Sequence, residues 1–407
     1  MSFIWIALIV TVVALVTSIV IFPYALRFAV RHGIVDAPNS RKLQRKPVPV
    51  FGGLVVFLGI LVGVALLSLF MFSPTILWAL LVMAIMMSIG IWDDMKDIPA
   101  WFRFLIEIAL ISGFITITGF YIDDLHGLWG IHALSPWVGI PLSVIAGVGT
   151  INAINMIDGV DGYSSGYGMM SCTCFIIAFW SVWNPVIICL TLIVAGALFP
   201  FFLHNVFGSK SRMFIGDGGT LMLGTLMVVL SLYSMSSLSD VKVLEEKGIC
   251  ILAFFLAVGC IPIFDTLRVM TLRILRGTSP FKPDKTHLHH LFIDMGFSHL
   301  GAALSILSIN ALVVLAWFVS WQLGASFDVQ MYVVLALGLL VTFGFYKFMK
   351  VQQNGGPLDN EGYPQGSTIW HTMCKLGSMT HREDRWFWRT MRNTIDGPLF
   401  FWGGKIV

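Results

Sequence analysis

Residues 51–72 read FGGLVVFLGILVGVALLSLFMF and contain no charged side chain. A helix of about 20 predominantly apolar residues is long enough to cross the hydrocarbon core of a bilayer, so this stretch predicts a transmembrane helix. Comparable stretches recur along the chain, and together they predict an all-α, polytopic integral membrane protein with about 11 transmembrane helices. The predicted spans are residues 3–22, 51–72, 75–92, 102–121, 137–154, 168–183, 185–203, 217–235, 249–267, 303–323 and 331–348.

The composition is that of a membrane protein and excludes a water-soluble enzyme. Of the 407 residues, 57% are hydrophobic and 12% are charged, whereas a soluble domain has about 25% charged residues. The net charge of +3 gives no global polybasic character, so nucleic acid is not an expected partner. The six cysteines lack CxxC spacing and are interpreted as reduced residues of the membrane core. The first apolar run lacks a charged segment and a cleavage site, which predicts a retained span rather than a signal peptide.

The distribution of positive charge predicts the orientation of the chain. All 25 Lys and Arg residues except Lys242 and Lys247 fall in loops on one side of the predicted spans, and loops with this excess face the cytoplasm. The N-terminus is therefore predicted outside and the C-terminus in the cytoplasm. Residues 1–350 form the predicted membrane domain, and residues 351–407 form a cytoplasmic linker and tail. The aromatic and basic tail could lie in the membrane interface, or it could be loosely packed or disordered.

Three carboxylates, Asp93, Asp94 and Asp97, lie close together at the inner end of the third predicted span. Adjacent carboxylates repel each other, so near hydrocarbon they need a cation, or one of them keeps its proton. Either state suits phosphoryl chemistry, because a carboxylate of raised pKa can accept a proton from a phosphate and a pair can hold Mg²⁺. The alternative is a solvated helix end capped by Asp97. The equally acidic pair Asp123 and Asp124 falls in an outer loop and is interpreted as a solvated turn.

Amides and carboxylates alternate with apolar residues after the fifth predicted span, at Asn152, Asn155, Asp158 and Asp161. The three-residue spacing places the first three on one face if the helix continues, and Asp161 follows through a glycine-containing turn. Amides can bind the edge of a base or sugar, carboxylates can bind ribose hydroxyls or a metal, and glycines let the backbone approach a diphosphate. A capped helix end followed by a turn is the alternative interpretation.

Asp217 lies among glycines at the start of the eighth predicted span, in the sequence Gly216-Asp217-Gly218-Gly219. A single Asp before a helix is commonly an N-cap. A glycine-rich backbone beside one carboxylate also suits a hard cation that bridges to phosphate oxygens. The sequence leaves both interpretations open.

The inner loop after the ninth predicted span combines basic residues with a histidine run, His287, His289 and His290. Imidazoles can donate to phosphate oxygens or sugar hydroxyls. Arg276 in this loop is a candidate phosphate ligand because a guanidinium matches phosphate geometry with paired donors, and Arg103 is grouped with it as a candidate substrate-binding residue. A zinc site is the rival interpretation of the histidines, although the spacing lacks the HExxH or CxxC pattern. The arginines could also serve membrane topology alone.

Five motifs together resemble a known family, both in their order and in their common side of the membrane. They are DxPNxRK with a terminal GG (36–53), DDxxD (93–97), NAxNxxDGxDG (152–162), FxGDxG (214–219) and PDxxHxHH (283–290). The chain resembles the polyprenyl-phosphate N-acetylhexosamine-1-phosphate transferases of glycosyltransferase family 4. The HxHH run and the number of predicted spans resemble the WecA-like branch, the undecaprenyl-phosphate GlcNAc-1-phosphate transferases, more than the MraY branch of peptidoglycan synthesis.

The resemblance implies transfer of N-acetylhexosamine 1-phosphate, with GlcNAc 1-phosphate as the first choice, from a UDP-sugar to undecaprenyl phosphate, with release of UMP. It implies the first step of a lipid-linked polysaccharide such as O-antigen, at the cytoplasmic face of a bacterial inner (plasma) membrane. The expected partners are a UDP-N-acetylhexosamine, undecaprenyl phosphate and the lipid bilayer, and a homodimer is left open. The alternatives are another branch of the family and, from a different class, a polytopic transporter, whose carboxylates would lie near the midplane.

The resemblance also implies roles for individual residues. Asp217 would hold the catalytic Mg²⁺, with Mn²⁺ as a second option, and Asp93 and Asp94 would act on the lipid phosphate or the metal. The predicted catalytic residues are Asp93, Asp94, Asp158 and Asp217. The predicted substrate-binding residues are Asn152, Asn155, Asp161, Arg103, Arg276, His287, His289 and His290. One departure concerns Gln44, where the family often has His, and it weakens any role of the basic loop beyond charge.

Overall fold

The computed structural model describes residues 2–37, 47–236, 239–280, 285–355, 366–381 and 386–397. Over these ranges the chain is mostly α-helical, as the sequence predicts. In chain order the helices are α1 (Phe3–Arg31), α2 (Gly52–Leu67), α3 (Pro74–Lys96), α4 (Ala100–Thr118), α5 (Pro136–Met156), α6 (Tyr163–Trp180), α7 (Pro185–Phe207), α8 (Gly216–Met235), α9 (Ser239–Glu246), α10 (Ile251–Val258), α11 (Cys260–Leu275), α12 (Leu288–Asp294), α13 (His299–Gln322), α14 (Phe327–Leu339), α15 (Tyr346–Asn354), α16 (Thr368–Met379) and α17 (Trp386–Ile395). A two-stranded antiparallel sheet pairs β1 (Val35–Asp36) with β2 (Val48–Pro49).

Eight helices among the described residues are long and apolar enough to cross a membrane. They are α1, α3, α4, α5, α7, α8, α13 and the continuous helix Phe327–Asn354, which joins α14 to α15 through the π-helical turn Leu340–Phe345. A ninth candidate is the pair α10 and α11, which is bent by 72°. The chain is therefore a multi-pass helical membrane protein, as predicted.

The predicted number of spans is not confirmed, although every predicted stretch is helical. Helix α2 has 16 residues, which gives a length of about 24 Å against a hydrocarbon core of about 30 Å. Helix α6 has 18 residues but falls short of a span in hydropathy, since Ser164 and Ser165 occupy its first turn. The exact number of crossings and the sides on which the termini lie stay predictions.

Burial separates the central helices from the peripheral ones. In the 18-residue apolar segment of α8, 83% of the residues are buried inside the protein, against 22% in the corresponding segment of α4. Helix α8 packs along α3 and α5, and α7 packs along α1 and α6. A helix that is apolar on every face and enclosed in this way belongs to the core. The motifs at the ends of α3 and α5 are therefore packed against this central helix, which carries Asp217.

Glycines bring α2 and α3 into backbone contact with the start of α8. A Cβ atom on Gly90 of α3 would lie 2.4 Å from the carbonyl carbon of Asp217, and one on Gly53 of α2 would lie 2.4 Å from the backbone nitrogen of Gly219. Small residues permit this close approach of helices within a membrane protein. The contact places the acidic end of α3 directly beside Asp217.

A buried asparagine stabilises the break between α10 and α11. Asn310 of α13 accepts a hydrogen bond from the N–H of Ile261 at 2.9 Å and donates one to the carbonyl of Val258 at 3.0 Å. Backbone groups freed by a helix break at membrane depth need such partners. The bend directs α11 so that its residue Asp265 reaches the histidine run.

The two acidic pairs lie at opposite ends of α4. Asp93 accepts a hydrogen bond from the N–H of Ile98, just before α4 begins, at 2.7 Å, whereas Asp123 and Asp124 follow the end of the helix. The second pair is half-buried, and Asp124 accepts the N–H of His126 at 2.5 Å. This turn is therefore more enclosed than the solvated turn predicted from the sequence.

The described part of the tail forms helices α16 and α17. The ring of Trp388 in α17 lies 5.0 Å from that of Phe207 at the end of α7. The helix Phe327–Asn354 continues past residue 350, the predicted domain boundary. The predicted linker lies largely in 356–365, outside the described residues, and an interfacial location of the tail stays a prediction.

Candidate active site

Residues from all five sequence motifs line one cavity of about 400 Å³ at one end of the helical bundle. Its carboxylates are Asp36, Asp93, Asp94, Asp97, Asp158, Asp161 and Asp217. Its imidazoles are His289, His290 and His299. The carboxylates of α3 and α8 lie in terminal helical turns, and not at the middle of broken helices as in many transporters.

Asp94 and Asp217 meet where the end of α3 touches the start of α8. The N–H of Asp217 donates to Oδ1 of Asp94 at 3.1 Å, and the N–H of Gly218 lies 3.4 Å from its Oδ2. Asp94 thus caps α8 from another helix, which corrects the interpretation of Asp217 itself as a simple N-cap. The Asp217 side chain is 38% exposed and faces the cavity, and its Oδ1 accepts from Nδ2 of Asn155 at 2.8 Å.

Arg103 compensates part of the negative charge at this end of α3. Its Nη1 lies 2.7 Å from Oδ2 of Asp93 and 3.8 Å from Oδ2 of Asp217. Its Nε lies 3.6 Å from Glu107. In this structure the predicted substrate-binding residue Arg103 is therefore engaged by carboxylates of the protein.

Glu107 is fully buried and was not identified from the sequence. Nδ2 of Asn152 donates to Oε2 of Glu107 at 2.5 Å and to the carbonyl of Val148 at 2.9 Å. Asn152 therefore forms a hydrogen bond with Glu107 and does not line the described cavity. The sequence did contain a signal for this residue, since Glu107 is the single acid of the apolar helix α4. An acid within a membrane-spanning helix needs a polar partner.

The turn after α5 carries Asp158, so the structure has the helix end and turn that the sequence left open and not a helix continued to this residue. Helix α5 ends at Met156, so Asn152, Asn155 and Asp158 do not share one continuous helical face. Asp158 accepts a hydrogen bond from Oγ of Ser164 at 2.7 Å. Its side chain is exposed to the cavity, yet desolvation by the surrounding protein and the neighbouring carboxylates of Asp217 and Asp161 raise its pKa to about 7, although the bond from Ser164 acts in the opposite direction.

Asp161 is held by two basic side chains that sequence reasoning did not assign to the site. Nη2 of Arg212 forms an ion pair with Oδ2 of Asp161, and Nδ1 of His299 lies 2.9 Å from the same oxygen. Arg212 follows α7 in the loop before the FxGDxG motif, and His299 begins α13. Neither residue stands inside a recognised motif, so only the tertiary structure brings them to Asp161.

The histidine run divides into one supporting residue and two residues that line the cavity. His287 is buried, and its Nδ1 lies 2.9 Å from Oδ2 of Asp265. Arg268 holds the other oxygen of Asp265 at 2.7 Å. His289 and His290 line the cavity, and burial together with the neighbouring imidazoles lowers the pKa of His289 well below its usual range. His289 is therefore a neutral imidazole that can donate one hydrogen bond.

His289 packs directly on the turn that carries Asp158. A Cβ atom on Gly159 would lie 2.1 Å from Nε2 of His289. A side chain at this position would overlap the imidazole unless His289 moved, so the glycine permits this close approach. The contact couples the histidine run to the turn after α5.

Five predicted site residues do not line the described cavity, namely Arg103, Asn152, Asn155, Arg276 and His287. Arg276 caps the end of α11 and is exposed. Residues 38–46 of the basic loop and residues 281–284 before the histidine run lie outside the described residues. The substrate-binding role of Arg276 stays a prediction.

The cavity has the donor atoms that a hard divalent cation needs. Mg²⁺ takes oxygen ligands and in phosphoryl-transfer sites is commonly held by one or two carboxylates together with water and substrate phosphates. Asp217 and Asp94 lie in contact and could supply these carboxylates. Within the described ranges, no group of three or more His, Cys, Asp or Glu side chains is arranged as a metal-ligand set.

The fold and the cavity together define a class, namely multi-pass membrane proteins with an acidic site at one end of the helical bundle. Residues 76–235 match the family model described as glycosyl transferase family 4. The matched segment contains the acidic end of α3, the turn after α5 and Asp217. The chain belongs to this family, as the sequence motifs indicate.

Known relatives extend the match beyond that segment. The chain is 29% identical over 370 residues to a Bacillus subtilis protein named "Probable undecaprenyl-phosphate N-acetylglucosaminyl 1-phosphate transferase". The aligned region covers 89% of this chain and 96% of the relative. It is 30% identical over 304 residues to the decaprenyl-phosphate N-acetylglucosaminephosphotransferase of Mycolicibacterium smegmatis, covering 68% and 73%. It is 27% identical over 324 residues to the undecaprenyl-phosphate alpha-N-acetylglucosaminyl 1-phosphate transferase of Yersinia pestis, covering 78% and 84%.

Proposed function

We propose that this protein transfers N-acetylglucosamine 1-phosphate from UDP-GlcNAc to a polyprenyl phosphate, with undecaprenyl phosphate as the acceptor. The observation that carries the proposal is the convergence of Asp94, Asp158 and Asp217 around one cavity, in a chain whose relatives are named for this transfer. The names of the relatives support GlcNAc 1-phosphate and the polyprenyl acceptor. The UDP-sugar donor rests on the resemblance of the motifs.

The reaction is a displacement at the β-phosphorus of the UDP-sugar. A phosphate oxygen of the lipid forms a new bond to this phosphorus, and the bond from the phosphorus to the oxygen bridging to the α-phosphate breaks. UMP leaves with that oxygen, and the bond between the sugar and its phosphate is kept. The products are polyprenyl-diphospho-GlcNAc and UMP.

Asp217, with Asp94 beside it, would hold Mg²⁺ or Mn²⁺. When bound, the cation would neutralise charge on the phosphates and on the leaving UMP. Asn155 fixes the orientation of the Asp217 carboxylate through its hydrogen bond at 2.8 Å. Arg103 places a positive charge 2.7 Å from Asp93, and this charge limits the repulsion that a cluster of carboxylates would exert on an approaching phosphate.

Asp158 is the group best suited to accept a proton near neutral pH. Its pKa of about 7 lies where a general base is both ionised in part and basic enough to accept a proton. The proton would come from the acceptor phosphate before its oxygen attacks. Ser164 holds the Asp158 carboxylate in place for this step.

The histidine run would bind the sugar phosphate. His289 and His290 line the cavity and can donate to phosphate oxygens or sugar hydroxyls. His287 would position His289 and His290, because its side chain binds Asp265 and it is the N-cap residue of α12. Arg276 and Asn152 remain candidates for substrate binding, although neither reaches the described cavity.

We place the site at the cytoplasmic face of a bacterial inner membrane. The support is the excess of Lys and Arg in the loops on the side of the site. UDP-sugars are cytoplasmic donors in the family that the chain resembles, and the product would begin a lipid-linked polysaccharide such as O-antigen.

The test is a transfer assay with purified protein in lipid nanodiscs. Radiolabelled UDP-GlcNAc and undecaprenyl phosphate should give equal amounts of UMP and labelled lipid product, with Mg²⁺ present. UDP-GalNAc and UDP-MurNAc-pentapeptide serve as competing donors, and Asp217→Asn as the inactive control. UMP release without a lipid product, or preference for UDP-MurNAc-pentapeptide, contradicts the proposal.

A further inference from the structure

The C-terminal segment contacts the loop that joins α7 to α8. This loop, residues 208–215, leads into the FxGDxG motif, and its last two residues, Phe214 and Ile215, line the cavity. Helix α17 places Trp388 against Phe207, and Ile395 at its end is 1% exposed. The following residue, Asp396, reaches the loop. The tail is thus packed against the membrane domain at this point.

The carboxylate of Asp396 is held by two serines and the backbone between them. Oδ2 accepts from the hydroxyl of Ser209 at 2.6 Å, from the N–H of Ser209 at 3.1 Å and from the N–H of Lys210 at 3.3 Å. Oδ1 accepts from the hydroxyl and the N–H of Ser211 at 2.7 and 3.2 Å. Both oxygens of one carboxylate therefore fix three consecutive residues of the loop.

The environment of Asp396 keeps it ionised. Burial alone would raise the pKa of this carboxyl, but the hydrogen bonds from Ser209, Ser211 and Lys210 outweigh it and lower the pKa. Hydrogen bonds to an ionised group are stronger than those between neutral groups. The contact is therefore a firm attachment of the tail.

The loop transmits this attachment to the cavity through the next residue, Arg212. Its guanidinium forms the ion pair with Asp161 and lies over the ring of Phe214, 5.6 Å from the centroid. Ser211 is fully buried, and its Oγ also lies 2.9 Å from Nδ1 of His204 in α7. A shift of Ser211 therefore moves the backbone from which Arg212 extends.

We propose that Asp396 is a positioning residue for the transfer reaction: by holding Ser209 to Ser211 it sets Arg212 against Asp161, and so makes the C-terminal segment part of the working site. This inference rests on the proposed function. Asp396 touches no substrate in this scheme and acts only through the loop.

The kinetic test is a double-mutant cycle between Asp396→Asn and Arg212→Ala in full-length protein in nanodiscs. Asp396→Asn should lower kcat/KM for UDP-GlcNAc about tenfold, because it weakens charge-assisted hydrogen bonds that orient Arg212. In the Arg212→Ala background the same substitution should have almost no further effect, since residues that act through one another are not additive. Ser209→Ala, which removes one exposed hydroxyl, should change kcat/KM in the same direction by a smaller factor.

The matched control is Asp294→Asn, which breaks an exposed ion pair with Lys350 at 2.9 Å away from this loop. It should leave kcat/KM unchanged. Hydrogen exchange of the amides from Ser209 to Arg212 gives a second measurement that does not depend on the reaction catalysed. Asp396→Asn should accelerate this exchange, and Asp294→Asn should not.

The outcomes separate this inference from the proposed function. If wild-type protein makes no lipid product but exchange accelerates in Asp396→Asn, the attachment stands and the proposed reaction is wrong. If the wild type is active and the two substitutions combine additively, or exchange is unchanged, Asp396 does not position Arg212 and the inference is overturned.

Discussion

Asp94 of α3 caps the N-terminus of α8 by accepting the backbone N–H of Asp217 at 3.1 Å. A helix with Asp in its first turn often uses that side chain for its own N-terminus. Here the capping carboxylate comes from another helix, and the Asp217 carboxylate faces the cavity with Asn155 on one oxygen. The two neighbouring aspartates therefore have different structural roles, which substitutions can separate.

Replacement of Asp217 by Asn should lower kcat by at least about a thousandfold, because a metal ligand acts most strongly on the charge of the transition state. Insertion and thermal stability should change little, since Asp94 continues to cap α8. Turnover is measured in nanodiscs across a Mg²⁺ titration, with chelation by EDTA as the metal-free reference.

Asp328→Asn is the matched control for this prediction. Asp328 also lies in the first turn of an apolar helix, α14, and accepts the N–H of Trp129 at 2.7 Å. It should keep wild-type turnover. Wild-type turnover of Asp217→Asn at limiting Mg²⁺ would exclude Asp217 as a metal ligand.

The two acidic pairs at opposite ends of α4 allow a second comparison. Asp93→Asn and Asp94→Asn should each cripple transfer, whereas the double variant of Asp123 and Asp124 to Asn should be nearly silent in activity. Asp94→Asn keeps a carbonyl oxygen for the cap, so it should keep the wild-type Tm, while Asp94→Ala should lose both activity and Tm. A lost helix cap costs about 1 kcal/mol.

Labelling of cysteines introduced at the same positions with a membrane-impermeant reagent reports the side of each pair. Positions 93 and 124 should react from opposite sides of sealed vesicles. Equal sensitivity of the two pairs to substitution, or labelling from one side, contradicts the predicted topology.

The histidine run should separate into two kinetic classes. His289→Ala and His290→Ala should raise the KM for UDP-GlcNAc with little change in the KM for undecaprenyl phosphate, because both side chains line the cavity. His287→Ala should resemble Asp265→Asn, and the two should not be additive, because their side chains bind each other at 2.9 Å. Steady-state kinetics for both substrates distinguishes the classes, and stoichiometric tightly bound zinc in the purified protein would point to the zinc site instead.

Gly159→Ala provides a variant that moves His289 without removing it. The new methyl group would overlap the imidazole, so the KM for UDP-GlcNAc should rise as it does in His289→Ala. The control is Gly149→Ala in α5, where a Cβ atom meets nothing within 4 Å. Equal behaviour of the two glycine variants would remove the argument for close packing at Gly159.

The sequence predicts the helices and the acidic motifs because both are local patterns. Apolar length is read from about 20 residues at a time, and each motif is a short segment. The sequence left open whether α5 continues as far as Asp158; the chain leaves the helix at Met156 and turns through Gly162, whose φ of 80° is left-handed. A glycine permits such a turn but does not require it.

Pairings between distant segments could not be predicted from one sequence. Glu107 with Asn152, Arg212 with Asp161, and Asp396 with Ser209 are each brought together by helix packing. Charge alone does not specify these partners, since several acids and bases were available on the same side. The number of spans was uncertain for a different reason. Helix α2 is short, and the polar residues at the start of α6, of which Ser164 lines the cavity, lower the hydropathy of that helix.

The last prediction concerns the pH dependence of transfer. Desolvation by the surrounding protein and the neighbouring carboxylates raise the pKa of Asp158 to about 7, so the ionised form that accepts a proton becomes populated as pH rises through about 7. If Asp158 is the base, kcat/KM should rise over this range and level off above it.

The stability of the folded protein should show the opposite trend. The pKa of Asp158 in the folded protein is higher than its unfolded value of about 3.9, so Asp158 contributes less stability as pH rises between these two pKa values.

Asp158→Asn isolates this contribution from that of the substrate. The acceptor phosphate has a second pKa of about 6, so its own titration should remain in the variant while the limb near 7 disappears. The variant should also lose the part of the stability decrease that Asp158 causes between pH 4 and 7, roughly the interval between its two pKa values. The measurements are pH profiles of kcat/KM and of Tm for both proteins. Identical activity profiles would show that another group accepts the proton, whereas a flat stability difference would show that the pKa of Asp158 is not raised in the folded protein.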